Sequence, residues 1–94
     1  MESDKKFYLD GKTIFTEFDF HRQIAKLFTF AGYYGNNLDA LWDMLTTDVE
    51  LPVTLIWDNS AISRQNLGEE RFAKIIKVFE DMQKWDAEFK FELR

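Results

Sequence analysis

The chain has 94 residues, 46% of them apolar, with ten Phe, three Trp and three Tyr, no cysteine and a formal net charge of −5. That is apolar material for one hydrophobic core but not two, so a single domain over residues 1–94 is expected, and disorder is not, despite 31% charged residues. The lack of cysteine excludes a disulfide framework, a thiol nucleophile and a thiolate metal site.

Met1 to Lys6 contain no apolar signal core, and no run approaches the ~18 apolar residues of a membrane span, so a soluble, unexported, cytoplasmic protein is expected. Phe7-Tyr8-Leu9 is a short β-prone run closed by the turn signal Asp10-Gly11, which admits a hairpin. Thr16-x-x-Asp19 has the spacing of a capping box at a helix start. Phe20, Ile24, Leu27 and Phe28 mark one face of that helix, and Gly32 suits its C-terminal cap.

The next stretch, Tyr33 to Pro52, carries the most information. Asn36 or Asn37 caps a short helix. Leu38, Leu41, Trp42 and Leu45 have the i, i+3, i+4, i+7 spacing of a buried stripe. Asp39, Asp43 and Thr46 fall on a different flank, with Trp42 at the seam. Like charges at i, i+4 cost a helix a few tenths of a kcal/mol. Asp39 recovers part of that in the first turn, near the positive end of the dipole; Asp43 does not, and folding gains nothing evident from it.

Pro52 reads as the first residue of a strand. Val53 to Trp57 is almost uninterruptedly apolar, which suggests a central strand covered on much of both faces. Asp58-Asn59-Ser60 ends it, and Ala61 to Leu67 reads as a short helix. A stronger helix follows Gly68, with Glu69 and Glu70 at its start, Lys84 at its end, and a stripe of Phe72, Ile75, Ile76, Phe79 and Met82 or Gln83. Phe89 to Leu93 alternates with period two, as a half-exposed strand does. Strands separated by helical crossovers imply an α/β domain with a small three-stranded parallel sheet packed against helices.

The charge is unevenly distributed. No Lys or Arg lies between Lys26 and Arg64, whereas Asp39, Asp43, Asp48, Glu50 and Asp58 all do. Such a patch repels nucleic acid and membrane surfaces and attracts a basic partner, although acidic surfaces also serve solubility.

The equipment of common enzymes is missing. There is one histidine, His21, whose ordinary reading is a surface or helix-packing residue. No phosphate-binding glycine loop and no G-x-S-x-G elbow occur. Asp39 and Asp43 could be read as a carboxylate acid/base pair, but nothing marks an apolar pocket that would raise one pKa. Asp39, Asp43, Asp48 and Glu50 lack calcium-loop spacing. Most of the Phe residues fall at core spacing, and of Tyr33 and Tyr34 one can pack under the helix while the other stays exposed. Tyr and Trp beside a charged face are residue types enriched at interface hot spots.

Tyr33-Tyr34-Gly35-Asn36-Asn37-Leu38-Asp39-Ala40-Leu41-Trp42-Asp43-x-Leu45-Thr46, followed by Val49-Glu50-x-Pro52, resembles the signature of the barstar family, small intracellular inhibitors of barnase-type microbial ribonucleases. The resemblance extends over nearly the whole chain, through Asp10-Gly11, His21, Trp57 and Val78-Phe79. It implies a three-stranded parallel sheet packed against helices and a helix-and-loop surface that plugs a nuclease active site. It implies partner contacts at Tyr33, Asp39, Trp42, Asp43 and Thr46, with Asp43 dominant at a phosphate position among arginines and a histidine. It further implies a basic secreted ribonuclease as partner, no nucleic-acid or membrane partner, no cofactor, and a monomer when free. After Thr46 the family's best-known member has Gly and Trp, and here stand Thr47 and Asp48. In the last helix Asp81 replaces a glutamate, either as a partner contact or as a solvated aspartate, and Ala31-Gly32 replaces a Pro-acidic pair. Three functions remain in view: a ribonuclease inhibitor, an acidic binding module of the same build retargeted to another basic protein, and a carboxylate enzyme.

Overall fold

The computed structural model describes residues 5–30, 32 and 34–94. Three strands, β1 (Lys5–Asp10), β2 (Val53–Asp58) and β3 (Phe89–Leu93), form one sheet in the order β1-β2-β3. Both pairings are parallel, with Phe7 opposite Leu55 and Leu55 opposite Phe91. The first crossover carries α1 (Glu17–Leu27) and α2 (Leu38–Thr47); the second carries α3 (Ser60–Leu67) and α4 (Glu69–Trp85). The expected α/β architecture is therefore present, with the apolar strand at its centre.

Two crossovers of the same hand that advance in the same direction place their helices on one face of the sheet. That face carries Leu9, Val53, Leu55, Trp57 and Phe89, which join the helical residues Phe20, Leu41, Leu45, Ile75 and Phe79 in one core. The opposite face carries exposed Lys6, Tyr8, Lys90 and Glu92. Ile56 lies on that far side. It is buried but stands outside the core cluster, flanked in register by Tyr8 and Glu92. The apolar continuity of Val53–Trp57 thus reflects the central position of the strand, and cover by helices on both faces is not observed.

Asp10-Gly11 opens no hairpin. The Asp10 carboxylate accepts from Lys12 N at 3.0 Å and caps a 3₁₀ turn, Gly11–Thr13, that leads toward α1. A Cβ at Gly11 would collide with the carbonyl oxygens of Asp58 and Asn59 and with Ser63 Oγ, so only glycine allows this close approach. Ser63 Oγ donates to Gly11 O at 2.9 Å and accepts from Trp57 Nε1 at 3.0 Å, tying the turn to the core.

The capping box at Thr16 and Asp19 forms as predicted. The helix ends earlier than Gly32 suggested. Phe30 N donates to Ala25 O at 2.8 Å and Thr29 N to Lys26 O at 3.3 Å, the paired bonds of a Schellman motif, with Thr29 at φ 53° in the position usually held by glycine. Pro52 stands just before β2 and not within it. The stripe of α4 is buried through Phe72, Ile75, Phe79 and Met82, while Gln83 is exposed and the helix extends one residue past Lys84. Eight of the ten Phe lie in or against the core; Phe15 and Phe18 are exposed.

Candidate functional site

The acidic helix α2 is positioned from both ends. At its start Asn36 takes the left-handed conformation (φ 56°), and Asn37 Oδ1 accepts from Ala40 N at 2.8 Å. The two asparagines therefore divide the work, one turning the chain and the other capping the helix. Beneath the preceding loop, buried Tyr34 donates its hydroxyl to His21 Nδ1 at 2.6 Å. His21 Nε2–H donates in turn to Glu17 Oε2 at 3.0 Å, and Glu17 Oε1 lies 3.4 Å from Arg71 Nε on α4. A carboxylate only accepts, so Nε2 carries a proton, and with one proton on the ring Nδ1 is the acceptor for Tyr34. His21 is thus a buried packing residue whose two nitrogens are both satisfied. Tyr33 lies outside the described residues.

Leu41, Met44 and Leu45 anchor α2 in the core, and Leu38 and Trp42 pack against it half-buried. Met44 was not in the predicted stripe. Asp39 and Asp43 project on the exposed side. Neither carboxylate has a hydrogen-bond or ion-pair partner among the described residues. Glu50, also in the acidic window, is met by Lys5 Nζ at 3.0 Å, an exposed pair that adds little to stability.

The hydroxyls on this face are already committed as donors. Thr46 Oγ1 lies 2.9 Å from Trp42 O and 3.1 Å from Asp43 O, and Thr47 Oγ1 lies 2.6 Å from Asp43 O. With its one proton given to a helix carbonyl, each hydroxyl offers a partner only lone pairs. Asp48 is exposed at the C-cap of α2, where the dipole is negative, and the last turn holds no basic residue. A charge of that sign costs the helix a few tenths of a kcal/mol or more. The side chains of Asp39, Asp43, Thr46, Thr47 and Asp48 therefore all present acceptors.

On α4, Asp81 accepts from Lys77 Nζ at 3.2 and 3.3 Å, one turn along the same helix, so its charge is partly compensated locally. No three Asp, Glu or His side chains converge as a metal site among the described residues.

A family model described as "Barstar (barnase inhibitor)" matches residues 5–94. The chain belongs to the barstar family. It is also 35% identical over 86 residues to the Bacillus subtilis (strain 168) protein named "Putative ribonuclease inhibitor YrdF", covering 92% of this chain and 94% of that one. Against this barstar background one exposed residue on α4 went unremarked in the sequence. Trp85 packs edge-to-face on Trp42 with ring centroids 6.2 Å apart and planes at 73°. It follows Met82 by three residues, so it continues the period of the buried stripe. Periodicity alone does not show that the ring is exposed.

Proposed function

We propose that this chain, acting as a single domain over residues 1–94, is a cytoplasmic, monomeric inhibitor of a basic, secreted, barnase-type ribonuclease. It has no catalytic activity of its own and no nucleic-acid partner. The surface around α2 blocks the nuclease active site, with Asp43 as the main contact and Tyr33, Asp39, Trp42, Thr46, Thr47 and Asp48 around it. Asp81 is a peripheral contact.

The observation that carries this reading is the pair of exposed carboxylates, Asp39 and Asp43, which have no partner among the described residues, on a helix whose folding gains nothing evident from Asp43. A face on which Asp39, Asp43, Thr46, Thr47 and Asp48 all present acceptors suits a partner rich in donors, and a nuclease that binds phosphates with Arg, Lys and His provides one. Charge-assisted hydrogen bonds from guanidinium groups would satisfy both aspartates on binding. Keeping like charges together on one face raises the rate of encounter with such a partner and disfavours acidic ones.

The test is a titration of barnase with this protein while RNA hydrolysis is followed. Activity should fall linearly to near zero at equimolar protein. Full activity in the presence of a micromolar excess would sink the proposal for barnase-type enzymes. A second reading keeps the acidic face and changes the target to another basic protein. Thr47 and Asp48 at the exit of α2 favour it, because Asp48 adds a negative charge at a helix end where the dipole disfavours it. It expects barnase to stay active and a basic protein other than a ribonuclease to bind through Asp43.

A further inference from the structure

We propose that Trp85 is a partner-contacting residue that forms, with Trp42, an aromatic shelf for an arginine or lysine side chain of the basic partner. The inference rests on the inhibitor reading above and adds to that interface a residue from a different helix.

Trp85 is 57% exposed, and it belongs neither to the core nor to the residues packed on it. A ring of this size left in water at the end of α4 has no account in folding beyond its contact with Trp42. That contact makes it continuous with the acidic face, because Trp42 is half-buried on α2 three residues after Asp39. On the other side, Asp81 precedes Trp85 by four residues and so lies one turn away on the same flank of α4. The order across the two helices is acid, indole, indole, acid.

An edge-to-face pair with one ring mostly open offers a π-face to a ligand, and the carboxylate of Asp39 beside Trp42 raises the local preference for a cation, with a smaller share from Asp81, which Lys77 already meets. An alkyl stem can lie along the indoles while its charged end reaches a carboxylate. An acidic or purely apolar partner would use the shelf poorly.

The test compares wild type, Asp43→Ala, Trp85→Ala and Trp85→Phe as inhibitors of barnase, with the thermal midpoint of each protein measured alongside. Trp85→Ala should raise the inhibition constant at least tenfold with a nearly unchanged midpoint, and Trp85→Phe should recover much of the loss. In parallel, the wild-type chain labelled with 5-fluorotryptophan is titrated with barnase. The ¹⁹F resonance of Trp85 should shift on complex formation while that of buried Trp57 holds still. If Asp43→Ala weakens inhibition, but Trp85→Ala inhibits within twofold of wild type or the Trp85 resonance does not move, the shelf is wrong and the inhibitor reading stands. A wild-type chain that leaves barnase fully active overturns both.

Discussion

The hydroxyl of Tyr34 lies 2.6 Å from Nδ1 of the fully buried His21. This bond joins the loop before α2 to α1, and through Glu17 and Arg71 the link continues to α4. A loop that must present α2 in one orientation is thereby tied by a side chain to the core.

Removing that hydroxyl leaves His21 Nδ1 buried without a donor. Tyr34→Phe should therefore lose ~1–3 kcal/mol of stability, the cost of an unsatisfied buried polar atom. Urea unfolding measures it, and a loss below ~0.5 kcal/mol would show that water replaces the hydroxyl.

The same residue predicts an alkaline dependence. Burial, and after it the Glu17 carboxylate, push the Tyr34 hydroxyl well above its ordinary 10.0. In the unfolded chain Tyr34 ionises near pH 10, whereas in the folded protein it keeps its proton to higher pH, so between the two values the unfolded state binds fewer protons. This contribution to stability is complete below pH ~10 and declines as pH rises above it. The unfolding free energy of Tyr34→Phe should fall less steeply than that of wild type between pH 9 and 11.5, and parallel curves would contradict the assignment.

Asp43→Ala should weaken inhibition of barnase roughly hundredfold or more, as truncation of a central charged contact does, while changing stability by less than ~0.5 kcal/mol. Stopped-flow association of the wild-type chain should slow as sodium chloride rises from 25 to 500 mM, with a much smaller change in dissociation. An association rate indifferent to salt would mean that the acidic face does not guide the encounter.

Thr29 holds φ 53° at the end of α1 with a β-branched side chain, where glycine is free of the Cβ clash. Thr29→Gly should stabilise the protein by ~0.5–1 kcal/mol, the relief of strain outweighing the added freedom of the unfolded chain. A lower thermal midpoint would show that the Thr29 hydroxyl, which donates to Phe28 O at 2.6 Å, matters more than the strain.

Features with a short-range cause could be read from the residues. The capping box of Thr16 and Asp19 spans three residues, and the stripe from Phe72 to Met82 repeats with the helical period. The apolar run at Val53 marks a central strand because both its neighbours withdraw it from water. The end of α1 was misplaced because Gly32 is the better local candidate and Thr29 the worse one; the Schellman bonds to Ala25 and Lys26 override that preference.

The alternation of strands and helices, and the two unlike faces of α2, follow from the sequence alone, since side-chain direction along a helix or strand is a matter of spacing. Tertiary structure decided which of those side chains keep a free charge. It brought Lys5 to Glu50 and Arg71 to Glu17, and left Asp39 and Asp43 without a partner among the described residues. It also set Trp85 against Trp42 and Tyr34 under the loop on His21. Pairing and burial depend on which elements meet in space, and no local period encodes that.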